Sequence, residues 1–190
     1  MTTQPPDGPR PERSLPVPDP VEALSDLESQ AAAWSREERE AEVDDRVVEA
    51  YRSVTLAARL VASLGRDLVV DLGRAGRVRG ELTGAGDGWA VLEDDRGVET
   101  VVLTEAVSVV HGAVHAAASA AAWPLSSRRS LAASLTRQLA DQAPVVLTLR
   151  DGERRSGRGR RVGADFLELG VDDGGTVLVA LSAVATVRRA

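Results

Sequence analysis

The sequence predicts an α+β protein with two small five-stranded β-barrels, an acidic helical segment before them and a helical connector between them. Three observations support this fold class. Apolar residues first recur at helical spacing, then alternate in short strand-like runs after Gly65, and the strand-rich segment recurs 77 residues further on without a gap. Five strands too short for a stable flat sheet can close on themselves and remove most exposed edges, which is why we expect barrels.

The composition is that of a globular protein. The 190 residues, 43% apolar and 27% charged, suit one or two domains. The sequence has no cysteine, which excludes disulfides and thiolate metal sites, and all 23 basic residues are arginine, which indicates the codon bias of a GC-rich bacterial genome. The first twenty residues lack the apolar core of a signal peptide, and no apolar run is long enough to cross a membrane. We therefore expect a cytoplasmic protein with no membrane partner.

Composition and periodicity divide the chain into five segments. The opening segment is rich in proline and polar residues and is predicted to be disordered. The first 65 residues carry 7 arginines and 13 acidic residues, whereas the last 48 carry 8 and 6, so only the C-terminal part favours contact with nucleic acid. The predicted segments are 1–20 (disordered), 21–65 (acidic helical segment), 66–112 (first barrel, the N-terminal repeat), 113–142 (helical connector) and 143–190 (second barrel, the C-terminal repeat).

The acidic segment is predicted to contain a long helix over residues 36–64. Ser35 followed by Glu38 has the spacing of a capping box, and Gly65 is a natural C-terminal stop. Its apolar stripe must be buried against a barrel, against an earlier helix of the segment 21–65, or against another molecule. Helix 36–64 is therefore the candidate surface for a protein partner.

The connector is predicted to form two helices. The alanine-rich stretch "AVHAAASAAAW" predicts a short helix that ends at Trp123, because Pro124 follows. Ser126 or Ser127 is the expected N-cap of the second helix.

The two strand-rich segments have matching residues at an offset of 77. Their shared turns read "EDDRGV" and "VDDGGT", and Trp89 of the first corresponds to Phe166 of the second. Identical residues at matched positions include Val69 and Val146, Leu72 and Leu149, Arg77 and Arg154, Gly80 and Gly157, Gly86 and Gly163, and Leu92 and Leu169. A duplication of one five-strand unit is the simplest explanation.

The stretch "VVLTLRDGERRSGRGRRVGADFLELG" resembles the first motif of Sm-like proteins, the group that includes bacterial Hfq. The matching features are the turn glycine Gly152, the central strand glycine Gly157 and the Asp165-Phe166 pair, and "TVLVALSAVATVRR" is similar to the second motif. The resemblance covers about half of the chain and implies a small Sm-like or SH3-like barrel. Of the family's RNA-contacting pattern, Glu168 lies near the position of an Asn and the second motif has no basic residue at its bend. The resemblance therefore does not carry the family's usual RNA pore over to this chain.

The arginine-rich stretch "RDGERRSGRGRRV" is interpreted as a strand rather than a flexible tail. By the 77-residue offset, Arg155, Gly157 and Gly159 take inward positions, with Arg155 reaching outward from the strand end. Arg154, Ser156, Arg158 and Arg160 take outward positions. One interpretation is a solvated strand whose arginines pair with nearby acids, and the other is a phosphate-contacting patch. The candidate nucleic-acid-binding residues are Arg150, Arg154, Arg158, Arg160 and Arg161.

The sequence indicates no catalytic or metal site. His111 and His115 have the i, i+4 spacing of a ligand pair but lack a recurring third ligand, and no nucleophile motif or phosphate-binding glycine loop is present. We expect a protein that is not an enzyme and uses no cofactor. The leading hypothesis is a nucleic-acid-associated adaptor, with RNA favoured, and the alternative is a protein–protein scaffold that acts through its acidic helix and barrel edges. The oligomeric state is left open.

Overall fold

Ten antiparallel strands form one continuous sheet in this protein. The structure, a computed structural model, describes residues 51–171 and 174–190. Within them, residues Val54–Ala190 form a compact unit. The strands are β1 (Asp67–Asp71), β2 (Arg77–Gly86), β3 (Trp89–Glu93), β4 (Glu99–Leu103), β5 (Val109–His111), β6 (Pro144–Leu149), β7 (Arg154–Val162), β8 (Phe166–Gly170), β9 (Thr176–Ala180) and β10 (Val184–Arg189). Their order in the sheet is β5-β1-β2-β3-β4-β10-β6-β7-β8-β9.

Two short α-helices accompany the described strands, and each begins at a hydroxyl cap. Helix α1 (Leu56–Ala62) begins after Thr55, whose hydroxyl accepts the Ala58 N–H at 3.1 Å. Helix α2 (Leu131–Gln138) begins after Ser130, whose hydroxyl accepts the Ala133 N–H at 3.2 Å. These bonds satisfy N–H groups that have no partner within the helix.

Both predicted helical segments differ from the structure. The helix expected over 36–64 is interrupted before α1, because Thr55 has an extended backbone; residues 36–50 lie outside the described part, as do the predicted disordered residues 1–20. In the connector, the alanine-rich stretch forms only the 3-10 turn Ala120–Ala122, and the α-helix is capped by Ser130 rather than Ser126 or Ser127. No helix in the described part of the chain is long and apolar enough to cross a membrane.

The repeat inferred from the sequence recurs in the positions of the strands. Strands β3 and β4 have the same bounds as β8 and β9 when 77 is added to each residue number. The 3-10 turns that follow, Thr104–Ala106 and Leu181–Ala183, match in the same way. Each repeat also places its last strand beside its first, as β5 beside β1 and β10 beside β6.

The prediction of two five-stranded barrels is wrong, because the strands belong to a single open sheet. Strand β4 pairs with β10 of the other repeat, and β5 pairs only with β1. Strands β4 and β5, whose pairing would have closed the first barrel on itself, are therefore not neighbours. The repeats are joined edge to edge through β4 and β10.

The joined sheet is explained by the apolar residues on both faces of β3 and β4. One face of these strands packs in a cluster with α2 and the C-terminal repeat, through Trp89, Val91, Val101 and Leu103. The other face packs in a second cluster with α1 and the N-terminal repeat, through Ala90, Leu92 and Val102. Strands buried on both faces have near-continuous apolar runs, as "WAVL" and "VVL" do. The sheet therefore separates two cores, and β3 and β4 contribute to both.

Candidate nucleic-acid interface

The arginine-rich stretch forms β7, an internal strand between β6 and β8. Its pairing with β6 places Arg154 opposite Thr148, Ser156 opposite Val146 and Arg158 opposite Pro144. Arg154, Ser156 and Arg158 are all exposed and alternate along the strand, so they lie on one face. From the rise of a strand, the Cα atoms of Arg154 and Arg158 are about 13 Å apart.

On the other face of β7, glycines leave room for neighbouring residues to pack closely against the strand. A Cβ on Gly159 would approach the Leu139 side chain, and one on Gly157 would lie 2.7 Å from the Gly170 carbonyl oxygen. Arg155, predicted at an inward position, does lie opposite the buried Leu147, but its exposed side chain pairs with the Glu153 carboxylate at 2.7 Å. Gly157 and Gly159 thus allow the neighbouring chain to pack closely. Arg155 already forms an ion pair with Glu153.

A β-bulge shifts the alternation near the end of β7. The register changes between Gly159 and Arg161, so that Arg161 lies opposite Glu168 and Arg160 occupies the bulge. A Cβ on Gly170 would lie 2.7 Å from Arg160 Nε, which places the Arg160 guanidinium directly over this glycine. Both Arg160 and Arg161 are exposed. The bulge therefore brings two successive arginines to the surface, where a regular strand would alternate them.

Arg150 lies apart from this strand surface. It is in the turn that follows β6, where its guanidinium pairs with Glu105 at 3.3 Å and its backbone N–H donates to the Ala183 carbonyl. The candidate set therefore separates into four exposed arginines of β7 and one arginine paired with a carboxylate.

A polar cleft of about 270 Å³ lies at the beginning of β7. Its charged lining consists of Arg77, Arg79, Arg154, Arg188 and a single carboxylate, Asp94. The rest of the lining includes three threonines and small apolar residues: Thr100, Thr148, Thr186, Ala75, Val78 and Val146. The cleft thus combines cationic groups with hydroxyl groups, a set that suits an anionic ligand.

The carboxylates near the cleft are engaged in local hydrogen bonds. Asp71 accepts from Arg77 at 2.8 Å and from the Gly73 N–H at 2.9 Å, and these bonds lower the pKa of Asp71. Asp94 accepts from the N–H groups of Val98 and Arg96, both at 2.9 Å, and they lower its pKa in turn. Both carboxylates therefore have their main hydrogen-bond partners close by in the chain.

Six arginines on this surface have no ion pair within residues 51–171 and 174–190. They are Arg79, Arg154, Arg158, Arg160, Arg161 and Arg188. By contrast, Arg77, Arg137, Arg150 and Arg155 each pair with a carboxylate. Together, these six unpaired guanidinium groups form the cationic surface.

The sequence predicts exposed arginines on this strand, but its candidates do not include Arg79 and Arg188, which line the cleft with Arg154. Arg79 belongs to β2, which is separated from β7 by four strands in the sheet order, so its position beside Arg154 depends on the curvature of the sheet. Arg188 lies in β10, and its closeness to Thr100 of β4 follows from the pairing of the two repeats, which the sequence does not show. The available sequence signal was the correspondence of Arg77 with Arg154, which marks this strand end as arginine-rich in both repeats.

The described residues offer no cluster suited to metal chemistry. Among residues 51–171 and 174–190, no group of three or more His, Asp or Glu side chains could hold a metal ion. His111 and His115 are both exposed. The arrangement instead offers fixed positive charge and hydroxyl groups, which can bind an anion.

Two comparisons of the chain with known proteins, by family model and by curated sequence, give no match. No protein-family model matches it, and no curated protein matches it at a significant level. The resemblance to Sm-like proteins stays a prediction from the motifs in the sequence.

Proposed function

We propose that this protein is a non-catalytic nucleic-acid-associated adaptor that binds single-stranded RNA through the cationic surface. The observation that carries the proposal is that six arginines without carboxylate partners lie along β7 and around one threonine-lined cleft. Unpaired guanidinium groups bind phosphates without first breaking an internal ion pair. Arg150 is left out of the proposed site because it pairs with Glu105.

The shape and lining of the cleft favour contact with the backbone of the nucleic acid. Its volume of about 270 Å³ is below the range of about 300–1,000 Å³ typical of drug-sized ligands, so it suits a phosphate and its sugar. Among the described residues, no aromatic side chain lines it. Trp89 is buried with its ring N–H bonded to the Arg129 carbonyl, and the Phe166 ring packs over Gly163. We therefore expect little discrimination between bases, because stacking platforms are missing from the cleft.

The preference for RNA is supported by the three threonine hydroxyls of the cleft. A 2′-hydroxyl can both donate to and accept from such groups, which is how a protein distinguishes RNA from DNA. The acidic net charge of −6 opposes the approach of any polyanion, so binding depends on the cationic surface and is sensitive to salt.

The test is a salt titration of binding to a labelled, mixed-sequence single-stranded RNA, followed by fluorescence anisotropy. For single strands, the slope of log affinity against log salt concentration is about −0.7 for each phosphate neutralised. A variant with Arg154, Arg158 and Arg160 replaced by Ala should therefore bind more weakly and lose about 2 from the magnitude of the slope.

A charge-matched control removes three arginines that already have carboxylate partners. The variant with Arg137, Arg150 and Arg155 replaced by Ala changes the net charge equally, and we expect its salt slope to match that of the unsubstituted protein. Equal losses in both variants would reduce the effect to net charge alone. Equal affinity for DNA of the same sequence would contradict the preference for RNA, and absence of binding at low salt would overturn the function.

The alternative function, a protein scaffold, is favoured by one observation. Both edges of the sheet, at β5 and β9, carry exposed apolar side chains.

A further inference from the structure

The two edge strands of the sheet each pair on one side only. Strand β5 pairs with β1, strand β9 pairs with β8, and they stand at opposite ends of the strand order. An edge strand presents unpaired N–H and C=O groups to which another strand can add. Neither edge carries the lysine or proline that commonly protects such strands.

Exposed apolar side chains are concentrated at these edges. The described part of the chain exposes six large apolar residues, and three of them are Val109 of β5 (47% exposed) and Val177 and Leu178 of β9 (39% and 65%). A fourth, Leu56 of α1, is 40% exposed and lines a shallow pocket with Val109 and Val110. Concentrated apolar exposure on a surface indicates an interaction site, whereas single exposed residues need no explanation.

The molecule already contains one joint between the same two kinds of strand. Strand β4, the fourth of the N-terminal repeat, pairs with β10, the fifth of the C-terminal repeat, and Val101 lies opposite Val187. Both side chains are fully buried. The joint is made once within the molecule, so the fourth strand of the C-terminal repeat (β9) and the fifth strand of the N-terminal repeat (β5) each keep one unpaired edge.

The register of the β4–β10 pairing, shifted by the offset of 77 residues, predicts how β9 would pair with β5 of another molecule. Leu178 corresponds to Val101 and Val110 corresponds to Val187, so these two residues would lie opposite each other. The flanking pairs would be Val109 with Val179 and His111 with Val177. The exposed apolar residues of both edges are thus the ones that this register would cover.

The helix beside the joint has a counterpart as well. At the existing joint, Trp89 and Leu131 belong to the same packed cluster, and the Trp89 ring N–H donates to the Arg129 carbonyl at 3.0 Å. Phe166 corresponds to Trp89, and Leu56 follows the cap of α1 as Leu131 follows the cap of α2. The pocket of about 290 Å³ beside β5, lined in part by Leu56 and Val110, is therefore where Leu178 of another molecule would insert.

We propose that β9 of one molecule adds to β5 of a second molecule of this chain, in the register of the β4–β10 joint. The two surfaces differ, so the contact is head-to-tail and leaves each end of a pair free; assembly closes into a ring or continues as a filament. The Glu99 contacts with Arg137 and Gln138 at the existing joint have no counterpart, because Thr176 corresponds to Glu99. Association therefore depends on apolar contact and backbone pairing, and we expect it to rise with protein concentration.

The first test measures the mass of the full chain by sedimentation at increasing concentration, without nucleic acid. We expect the mass to rise above the 20.0 kDa of one chain. The variant Leu178→Arg should remain at the mass of one chain at concentrations where the unsubstituted protein assembles. Leu125→Arg is the matched control, since Leu125 is 84% exposed and belongs to neither edge strand; it should assemble as the unsubstituted protein does.

The second test mixes two variants that are each blocked at one edge. Val109→Arg blocks β5 and leaves β9 intact, whereas Leu178→Arg blocks β9 and leaves β5 intact. Each alone should be monomeric, and the mixture should form a dimer of twice 20.0 kDa and nothing larger. Folding of both variants is checked by circular dichroism, and either variant alone provides a test. A monomeric unsubstituted protein, a mixture that stays monomeric, or Val109→Arg dimerising by itself would overturn the proposal.

Discussion

Replacing Val101 by Ala should destabilise the whole sheet, whereas the same truncation one repeat further on should have little effect. Val101 is fully buried in the cluster that joins β4 to the C-terminal repeat. The lost apolar groups contribute about 1.6 kcal/mol, at about 0.8 kcal/mol for each buried methylene equivalent. The cavity left behind raises the expected loss in free energy of unfolding to about 2–3 kcal/mol. Leu178 occupies the matching position but is 65% exposed, so Leu178→Ala should cost about 0.5 kcal/mol or less.

The assay is urea unfolding followed by circular dichroism and by tryptophan fluorescence, at a concentration where the protein sediments as one chain. Because β3 and β4 contribute to both cores, we expect the two probes to report one transition, which Val101→Ala moves to lower urea concentration. Equal shifts in the two variants would refute the burial argument. If Val101→Ala instead unfolded in two transitions, one of them at the original urea concentration, the sheet would not unfold as one cooperative unit.

Two further predictions concern local contacts. Ser130→Ala should lower the free energy of unfolding by about 0.5–2 kcal/mol, because it removes the hydroxyl that caps α2; Ser119→Ala, at the start of a 3-10 turn without a side-chain cap, should leave the melting temperature unchanged. Asp71 has a folded-state pKa below its ordinary value of 3.8 because Arg77 and the Gly73 N–H bond its carboxylate. Its contribution to stability is therefore fully present above that value and is lost as pH falls through the folded-state pKa. Asp71→Asn should reduce the pH dependence of the melting temperature in this acid range, and an unchanged profile would contradict the assignment.

The strands could be predicted from the sequence because each repeat records them independently. Where one copy is ambiguous, the other fixes the boundaries, as Trp89–Glu93 and Phe166–Gly170 illustrate. The outward positions of Arg154 and Arg158 followed from the same alignment, and both side chains are exposed. The local alternation of apolar and polar residues is therefore enough to predict the strands and which of their residues are exposed.

The way the strands are joined could not be predicted from the repeat. An internal duplication is compatible with two closed units or with one shared sheet, because both satisfy the same alternation. The distinguishing signal was the continuous apolar run of β4, whose Val101 and Val102 face different cores. In β9 the corresponding residues are Leu178 and Val179, and an apolar pair there looks the same in sequence although Leu178 is exposed. Whether a strand is buried on both faces depends on which strand pairs with it, and this pairing is a property of the tertiary structure.

The cleft was beyond sequence reasoning for a related reason. It joins Arg79 of β2 to Arg154 of β7 across a curved sheet, and Arg188 enters through the joint between the repeats. These residues are far apart in the chain, and nothing in their local pattern relates them. The one signal in the sequence was the correspondence of Arg77 with Arg154, which places an arginine at this strand end in both repeats.

The sharing of β3 and β4 between two cores gives the two repeats unequal freedom to accumulate substitutions. At Trp89, Val91 and Val101 a polar replacement would be trapped in the interior, whereas at Phe166, Glu168 and Leu178 the same change would meet solvent in an isolated molecule. We therefore expect the two repeats to tolerate different residues at matched positions, as Glu168 opposite Val91 in the alignment of the repeats illustrates. Residues 66–112 made without residues 143–190 would leave the apolar face that contains Trp89 exposed to solvent, so we expect that this half does not fold alone.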